Sequence, residues 1–177
     1  MKFYLSFLLL LCCTIAAHAQ LEQGTWLVGG SGSFSHMQND NNTSNTTINT
    51  NPRIGYFIAD RLSAGVHALY SYQTNRFGGN GLNDNSLLLG PFVRYYVLNN
   101  VQMFNLLTEL GYNYGKYNTN GIYNLTGSKH SYFSLAVGPT LFVNSAIGIE
   151  STVVYLFNSA QNNGFQFNVG INVYLTK

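Results

Sequence analysis

Apolar and polar residues alternate along most of the chain beyond residue 20, which is the two-residue period of β-strands with two unlike faces. The clearest run covers residues 165–175, where Phe, Val, Ile and Leu hold the odd positions and Gln, Asn, Gly and Tyr the even ones. No convincing helical period follows residue 20. The pattern predicts eight strands, at about 24–36, 48–58, 62–72, 87–97, 103–117, 131–143, 146–157 and 165–175.

The connections between the predicted strands alternate between short turns and long polar loops. Short turns at one end and longer loops at the other are typical of barrels that cross a bilayer, as are strands of about 9–12 residues. An even number of strands also places both chain ends on the same side, the periplasm. The short turns lie near Ala59-Asp60, Asn99-Asn100 and Asn144-Ser145, and the predicted loops cover about 37–47, 73–86, 118–130 and 158–164.

One face of each predicted strand is apolar, and the opposite face carries polar side chains and a glycine. Arg53, Arg94, Glu109, Glu150 and His67 lie on this second face. An eight-stranded barrel encloses room only for packed side chains, so we expect the polar face to line the lumen and the apolar face to meet lipid. The fold class is therefore all-β, an eight-stranded antiparallel up-and-down transmembrane β-barrel. The glycines of the lumen face are Gly29, Gly55, Gly65, Gly90, Gly111, Gly138, Gly148 and Gly170.

The composition agrees with a membrane location. Charged residues make up 8% of the chain, against about 25% in soluble domains. A soluble barrel with an apolar cavity would have the opposite arrangement, with its charged face outside. Aromatic residues on the apolar face near strand ends are expected to form girdles at the headgroup level. They are Trp26, Tyr72, Tyr95, Tyr114, Phe157 and Phe165.

The longest apolar run lies at the N-terminus and has the organisation of a signal peptide. A basic residue, Lys2, precedes an apolar stretch at 3–17, which is shorter than the ~20 residues of a membrane span. The A-x-A sequence at 17–19 predicts cleavage between Ala19 and Gln20. The predicted organisation is a signal peptide at 1–19 and an outer-membrane barrel domain at 20–177.

Both cysteines, Cys12 and Cys13, lie in the predicted signal peptide. A lipoprotein modification there is the alternative, although such sites want a small residue before the cysteine and Leu11 and Cys12 occupy that place. If residues 1–19 are removed as a signal peptide, the mature chain has no cysteine and therefore neither disulfides nor thiol chemistry. Removal of Lys2 leaves 7 of the 8 basic residues against 6 acidic ones, a balance that gives no electrostatic reason to bind nucleic acid.

Three segments resemble the bacterial outer-membrane β-barrel domain family. The sequence PRIGYFIADRLSAG at 52–65 is similar to a strand–turn–strand segment of that family, and LGPFVRYY at 89–96 resembles another of its strands. The closing FNVGINVYL at 167–175 is similar to the last strand that the barrel assembly machinery recognises. The resemblance implies a small barrel of the OmpA/OmpX type, surrounded by the lipid of the bacterial outer membrane, with a structural or surface-interaction role and no identifiable substrate.

Four charged residues of the lumen face, Arg53, Arg94, Glu109 and Glu150, are the candidates for a specific site. Two bases and two acids balance, as a buried set must, because an unpaired buried charge is very costly. A paired network that plugs the lumen is the favoured interpretation. A gate in a narrow pore for ions or small solutes is the alternative.

An outer-membrane lipid-modifying enzyme is the third hypothesis, because His67 shares the lumen face with both glutamates and many serines. A Ser–His–Glu hydrolase there would be badly placed for lipid chemistry at the outer leaflet. His36 and His130 lack metal-ligand spacing. The sequence therefore predicts a monomer without enzymatic activity, metal or cofactor. The Asn-rich segment 39–45 is consistent with an adhesive loop or with a simply solvated one.

Overall fold

The computed structural model describes residues 21–39, 43–77, 80–99, 103–120, 126–158 and 163–176. Eight strands pair antiparallel with their chain neighbours, and the last pairs with the first, which closes one barrel and confirms the predicted fold class. The predicted cleavage site at Ala19 and Gln20 lies outside the described residues. The strands are β1 (Trp26–Asn39), β2 (Thr43–Ala59), β3 (Leu62–Phe77), β4 (Asn80–Tyr96), β5 (Phe104–Asn120), β6 (Thr126–Phe142), β7 (Ile147–Asn158) and β8 (Gly164–Leu175).

The alternation of side chains decides which residues face the lumen. In β8, Val169 and Ile171 are more than half exposed on the outer surface, whereas Asn168 and Asn172 are buried inside. The outer surface is a continuous belt of exposed aliphatic and aromatic side chains, far larger than a soluble monomer carries. In the described part of the chain, no helix is long and apolar enough to span a membrane. The predicted girdle residues Trp26, Tyr72, Tyr95, Tyr114, Phe157 and Phe165 all lie on the outer surface.

Several strands are longer than the sequence predicts, and β2, β4, β5 and β6 each have 17 residues. The predicted loops at 37–47, 73–86 and 118–130 are therefore wrong over most of their length, since pairs such as Gln38 with Ser44 continue the ladder through them. These segments are rich in Asn, Thr and Ser and carry no continuous apolar face in the sequence. They consequently lack the apolar alternation by which a strand is recognised, although their backbones still pair.

The long strands reach well beyond the bilayer. A 17-residue strand is about 56 Å long at about 3.3 Å per residue, more than a tilted strand needs to cross an apolar band about 25 Å tall. By contrast, β7 and β8 have 12 residues each, β1 pairs with β8 only as far as Gly32, and β6 pairs with β7 only as far as Tyr132. The far ends of β1 to β6 thus form a six-stranded sheet on the side away from the chain termini. We call it the polar extension, comprising 33–39, 43–47, 73–77, 80–86, 117–120 and 126–128.

Three outward-facing prolines, Pro52, Pro91 and Pro139, interrupt the barrel ladder. The β4–β5 ladder skips two pairs at Gly90 and Pro91 because proline has no N–H to donate. The β2–β3 and β6–β7 ladders have corresponding gaps at the other two prolines. A Cβ on Gly90 would overlap the carbonyl oxygen of Tyr112 across the gap, so the two backbones approach more closely than any other residue permits.

Candidate functional site in the barrel lumen

The end of the lumen nearest the chain termini, which the sequence predicts to face the periplasm, is closed by a cluster of buried apolar and aromatic side chains, which we call the apolar plug. The Oη atoms of Tyr96 and Tyr174 lie 2.8 Å apart. The ring of Phe57 stacks on that of Tyr96, with the centroids 5.9 Å apart. Close packing of this kind buries these side chains almost completely. The plug consists of Leu27, Phe57, Tyr96, Leu107, Phe142 and Tyr174.

The segment 21–25 folds across the base of the apolar plug. Leu21 is buried against the plug, and its carbonyl oxygen accepts a hydrogen bond of 2.6 Å from the backbone N–H of Arg61. The backbone N–H of Gln23 donates to Asp60 Oδ1 at 2.9 Å. The N-terminal end of the described chain is therefore fastened to the β2–β3 turn, and it adds a second cover below the plug.

The sequence interpretation missed the apolar plug, because it treated the lumen face as polar along its whole length. A signal for the plug is nevertheless present. Near each short periplasmic turn, the lumen face carries a large apolar or aromatic residue, namely Phe57 before the β2–β3 turn, Tyr96 and Leu107 around the β4–β5 turn and Phe142 before the β6–β7 turn.

Above the apolar plug, the four charged residues nominated by the sequence meet in one cluster, which we call the charge layer. Arg94 Nη2 lies 2.7 Å from Glu109 Oε2, and Arg94 Nη1 lies 2.7 Å from Glu150 Oε2. Arg53 Nη1 lies 3.0 Å from Glu109 Oε2 and 3.4 Å from Glu150 Oε1. Each guanidinium therefore contacts both carboxylates.

The strand register explains how the charge layer assembles. Arg94 on β4 stands directly opposite Glu109 on β5, whereas Glu150 on β7 reaches them from the other wall of the barrel. All four side chains are at most 7% exposed. Ser31 on β1 accepts a further hydrogen bond of 3.0 Å from Arg53 Nη2. The attraction and the hydrogen bonds within this neutral set offset the free-energy cost of removing its four charges from water. A single buried charge would have no such compensation.

Above the charge layer, His67 belongs to a hydrogen-bond network with an amide and a hydroxyl group. Its Nε2 lies 2.7 Å from Asn113 Oδ1, and its ring stacks on Phe92 with the centroids 5.6 Å apart. Asn113 Nδ2 donates in turn to Ser134 Oγ at 3.2 Å. The hydrogen-bond partner of His67 Nε2 is thus an amide. The structure does not place this imidazole in the Ser–His–Glu arrangement that the enzyme hypothesis requires.

Beside the charge layer, the lumen offers little space for a ligand. The cavity beside Arg53, His67 and Tyr132 measures about 20 Å³, which is room for about one water molecule. Among the described residues, no three His, Cys, Asp or Glu side chains are grouped so as to hold a metal ion. The chemistry that the arrangement supports is mutual neutralisation of four buried charges, which ties β2, β4, β5 and β7 together.

The fold and its packed interior define a small, closed transmembrane β-barrel. The sequence matches the model of the outer membrane protein beta-barrel domain family over residues 5–176. The chain therefore belongs to that family, and its location is the bacterial outer membrane.

Several solved structures are similar to this chain at low sequence identity. OprG from Pseudomonas aeruginosa is 13% identical with a TM-score of 0.57, covering 88% of this chain and 98% of that one. The N-terminal β-barrel domain of Pseudomonas aeruginosa OprF is 12% identical with a TM-score of 0.54, covering 86% and 98%. Ail of Yersinia pestis is 15% identical with a TM-score of 0.46, covering 86% and 99%. No curated protein matches the sequence significantly.

Proposed function

We propose that this protein is a non-conducting, non-enzymatic barrel of the outer membrane, with a structural or surface-interaction role. The observation that carries the proposal is the packed lumen. The apolar plug and the charge layer lie one above the other, and the cavity beside Arg53, His67 and Tyr132 is only about 20 Å³. A solute or hydrated ion would have to displace both layers, so a narrow pore is the less favoured function.

The arrangement around His67 supports the absence of catalysis. A general base needs its partner groups within hydrogen-bond reach, and the partner of His67 Nε2 is Asn113. His67 is 3% exposed, inside the barrel and away from the outer leaflet. A lipid-modifying enzyme would need its reactive group on the lipid-facing surface or at its rim.

Planar-bilayer recording tests the closed lumen. Wild-type protein should insert without producing a steady current. A double variant, Arg94→Ser with Tyr96→Ala, removes one member of each layer and should conduct, which shows that the recording detects an open lumen. A stable single-channel current from the wild-type protein at ordinary voltages would contradict the proposal and favour the pore.

The polar extension supports a role at the cell surface. Its two edge strands, β1 beyond Gly32 and β6 before Tyr132, pair with β2 and β5 on one side and with no described strand on the other. Phe34 and Met37 are 69% and 70% exposed beside the β1 edge. Unpaired strand edges with apolar side chains are places where other chains attach.

Shortening the first hairpin tests the surface role. His36 and Thr46 are cross-strand partners, so an Asn-Gly turn can replace residues 37–45 without a change of register. Cells that produce the shortened barrel should adhere less to surfaces and to one another than cells with the wild-type protein. Equal adhesion at equal surface abundance would count against a role of this hairpin.

The proposal also covers how the protein is exported and how it is assembled in the membrane. Residues 1–19 act as a cleaved signal peptide, and β8 presents the closing strand to the barrel assembly machinery. The alternation of exposed and buried residues in β8 supports this, because it gives the strand one lipid-facing side throughout. The folded barrel is a monomer surrounded by outer-membrane lipid.

A further inference from the structure

Two lysines stand directly opposite each other on the outer surface of the barrel. Lys116 on β5 pairs with Lys129 on β6, and both side chains are exposed on the lipid-facing side. The Cβ atoms of such a pair are about 5 Å apart, and like charges in this position destabilise a sheet. Lys116 lies two residues beyond Tyr114, one of the girdle aromatics. The pair is therefore at the height of the lipid headgroups.

Nothing in the described part of the chain neutralises this pair. The four ion pairs of the charge layer lie inside the lumen and include neither lysine. Arg76 is a third exposed cation on the outer surface of the same half, whereas Asp84 points inward and is buried. The outer surface of this half therefore carries basic side chains and no acidic one among the described residues, so an anion from another molecule can supply the counter-charge for the lysines.

An apolar groove leads from the two lysines toward the middle of the membrane. Its upper part, of about 420 Å³, is lined by both lysines together with Tyr70, Leu87 and Tyr114. Leu89 lines both this part and a deeper one of about 680 Å³. The deeper part runs along β2, β3 and β4 past Pro52, Ile54, Val66, Ala68 and Pro91.

The floor of the deeper groove is low because its central residue is small. Ala68 stands opposite Leu89 on the neighbouring strand, between Val66 and Tyr70 on its own strand. The missing side-chain volume at Ala68 leaves a trough between bulkier neighbours. Its length runs down β4 from Leu87 to Pro91, away from the polar extension and into the apolar belt.

We infer that this surface binds one phosphorylated lipid of the outer leaflet, with its phosphate between Lys116 and Lys129 and an acyl chain in the groove past Ala68. A phosphate accepts charge-assisted hydrogen bonds from two ammonium groups and removes their repulsion. Lysine stems lie along apolar surface while their ends stay in the headgroup region, as this position requires. The site is separate from the lumen and does not depend on whether the barrel conducts.

Lipid retention measures the site directly. Wild-type protein is refolded into phosphatidylcholine vesicles containing lipid A, extracted in neutral detergent, and examined by native mass spectrometry. One lipid A should remain on the wild-type barrel. The double variant Lys116→Gln with Lys129→Gln should bind it about twenty-five-fold more weakly, because each basic group near a membrane surface contributes about fivefold. Lipid A without its phosphates should bind the wild-type protein as weakly as intact lipid A binds the double variant.

Two further variants separate the groove from general surface charge. Arg76→Gln removes an exposed cation outside the groove and should leave retention unchanged. Ala68→Leu fills the deeper trough without a change of charge and should weaken retention. Unchanged retention in the double lysine variant, or an equal loss in Arg76→Gln, would overturn the inference. The lysines and Arg76 are exposed, so these variants test it even if Ala68→Leu folds poorly.

Discussion

Arg94 holds both oxygens of Glu150 from across the barrel, with Nη1 at 2.7 Å from Oε2 and Nη2 at 3.3 Å from Oε1. The two residues are 56 positions apart, on strands that are not neighbours. The same guanidinium contacts Glu109, its cross-strand neighbour, through Nε at 2.8 Å. The contact therefore joins opposite walls of the barrel, and its loss should destabilise the whole barrel.

Removal of one member of the charge layer should cost more than removal of a pair. Arg94→Met leaves two buried carboxylates with one cation, and we expect a loss of about 3–5 kcal/mol in the free energy of unfolding. Glu150→Met should cost a similar amount. The combined variant restores neutrality and should lose clearly less than the sum. Urea unfolding of the barrels in lipid vesicles measures these values.

The exposed Arg76 offers a control for the charge layer. Arg76→Met removes a basic side chain on the outer surface of β3, and surface changes of this kind shift stability by no more than about 0.5 kcal/mol. If the double variant loses as much stability as Arg94→Met and Glu150→Met lose together, the two charges do not depend on each other.

Two strand glycines should respond very differently to alanine. A Cβ on Gly90 meets the backbone carbonyl of Tyr112, whereas a Cβ on Gly164 has nothing within 4 Å. Gly90→Ala has to separate β4 from β5 and should cost about 1–3 kcal/mol or more. Gly164→Ala should change stability by less than about 0.5 kcal/mol. Equal stabilities in urea would rule out the close approach of the two strands.

Arginine on the outer face of β8 should report membrane depth. Val169 lies near the middle of this strand and Phe165 near its end, and both are exposed to lipid. Val169→Arg should cost about 2–4 kcal/mol and Phe165→Arg at most about 1 kcal/mol, each relative to alanine at the same position. The measurement is again urea unfolding in vesicles. Equal penalties at the two positions would contradict the placement of β8 in the bilayer.

The apolar plug should depend on the size of Tyr174 more than on its hydroxyl. Tyr174→Phe loses the hydrogen bond to Tyr96 and should cost about 1 kcal/mol. Tyr174→Ala also opens a cavity against Phe142, whose ring centroid is 5.4 Å away, and should cost about 3–5 kcal/mol. An alanine variant as stable as the phenylalanine variant would mean that the plug is loosely packed.

Processing of the N-terminus is tested by intact mass. Protein from the membrane fraction should have the mass of a chain that begins at Gln20, because the A-x-A sequence ends at Ala19. A mass that retains Met1 would contradict cleavage. An added acyl mass on Cys12 or Cys13 would instead indicate a lipoprotein.

The barrel and the sidedness of its strands follow from the sequence, because a period of two assigns each residue to one face. That argument places Arg53, Arg94, Glu109 and Glu150 on the inside without any knowledge of the fold. It says nothing about which of them meet, because contacts across a lumen depend on the stagger of strands around the barrel. The register of β4 on β5 pairs Arg94 with Glu109, and only closure of the barrel adds Glu150.

The lengths of the strands and the pair of lysines were decided by the tertiary structure. Segments such as 43–47 and 80–86 have no apolar face, so no periodicity marks them, yet neighbouring backbones hydrogen-bond there. Lys129 lies inside the predicted loop at 118–130, and it becomes the neighbour of Lys116 only when the long β5–β6 hairpin forms. Sequence alternation determines the face of a residue, whereas its neighbours depend on register, which comes from the assembled sheet.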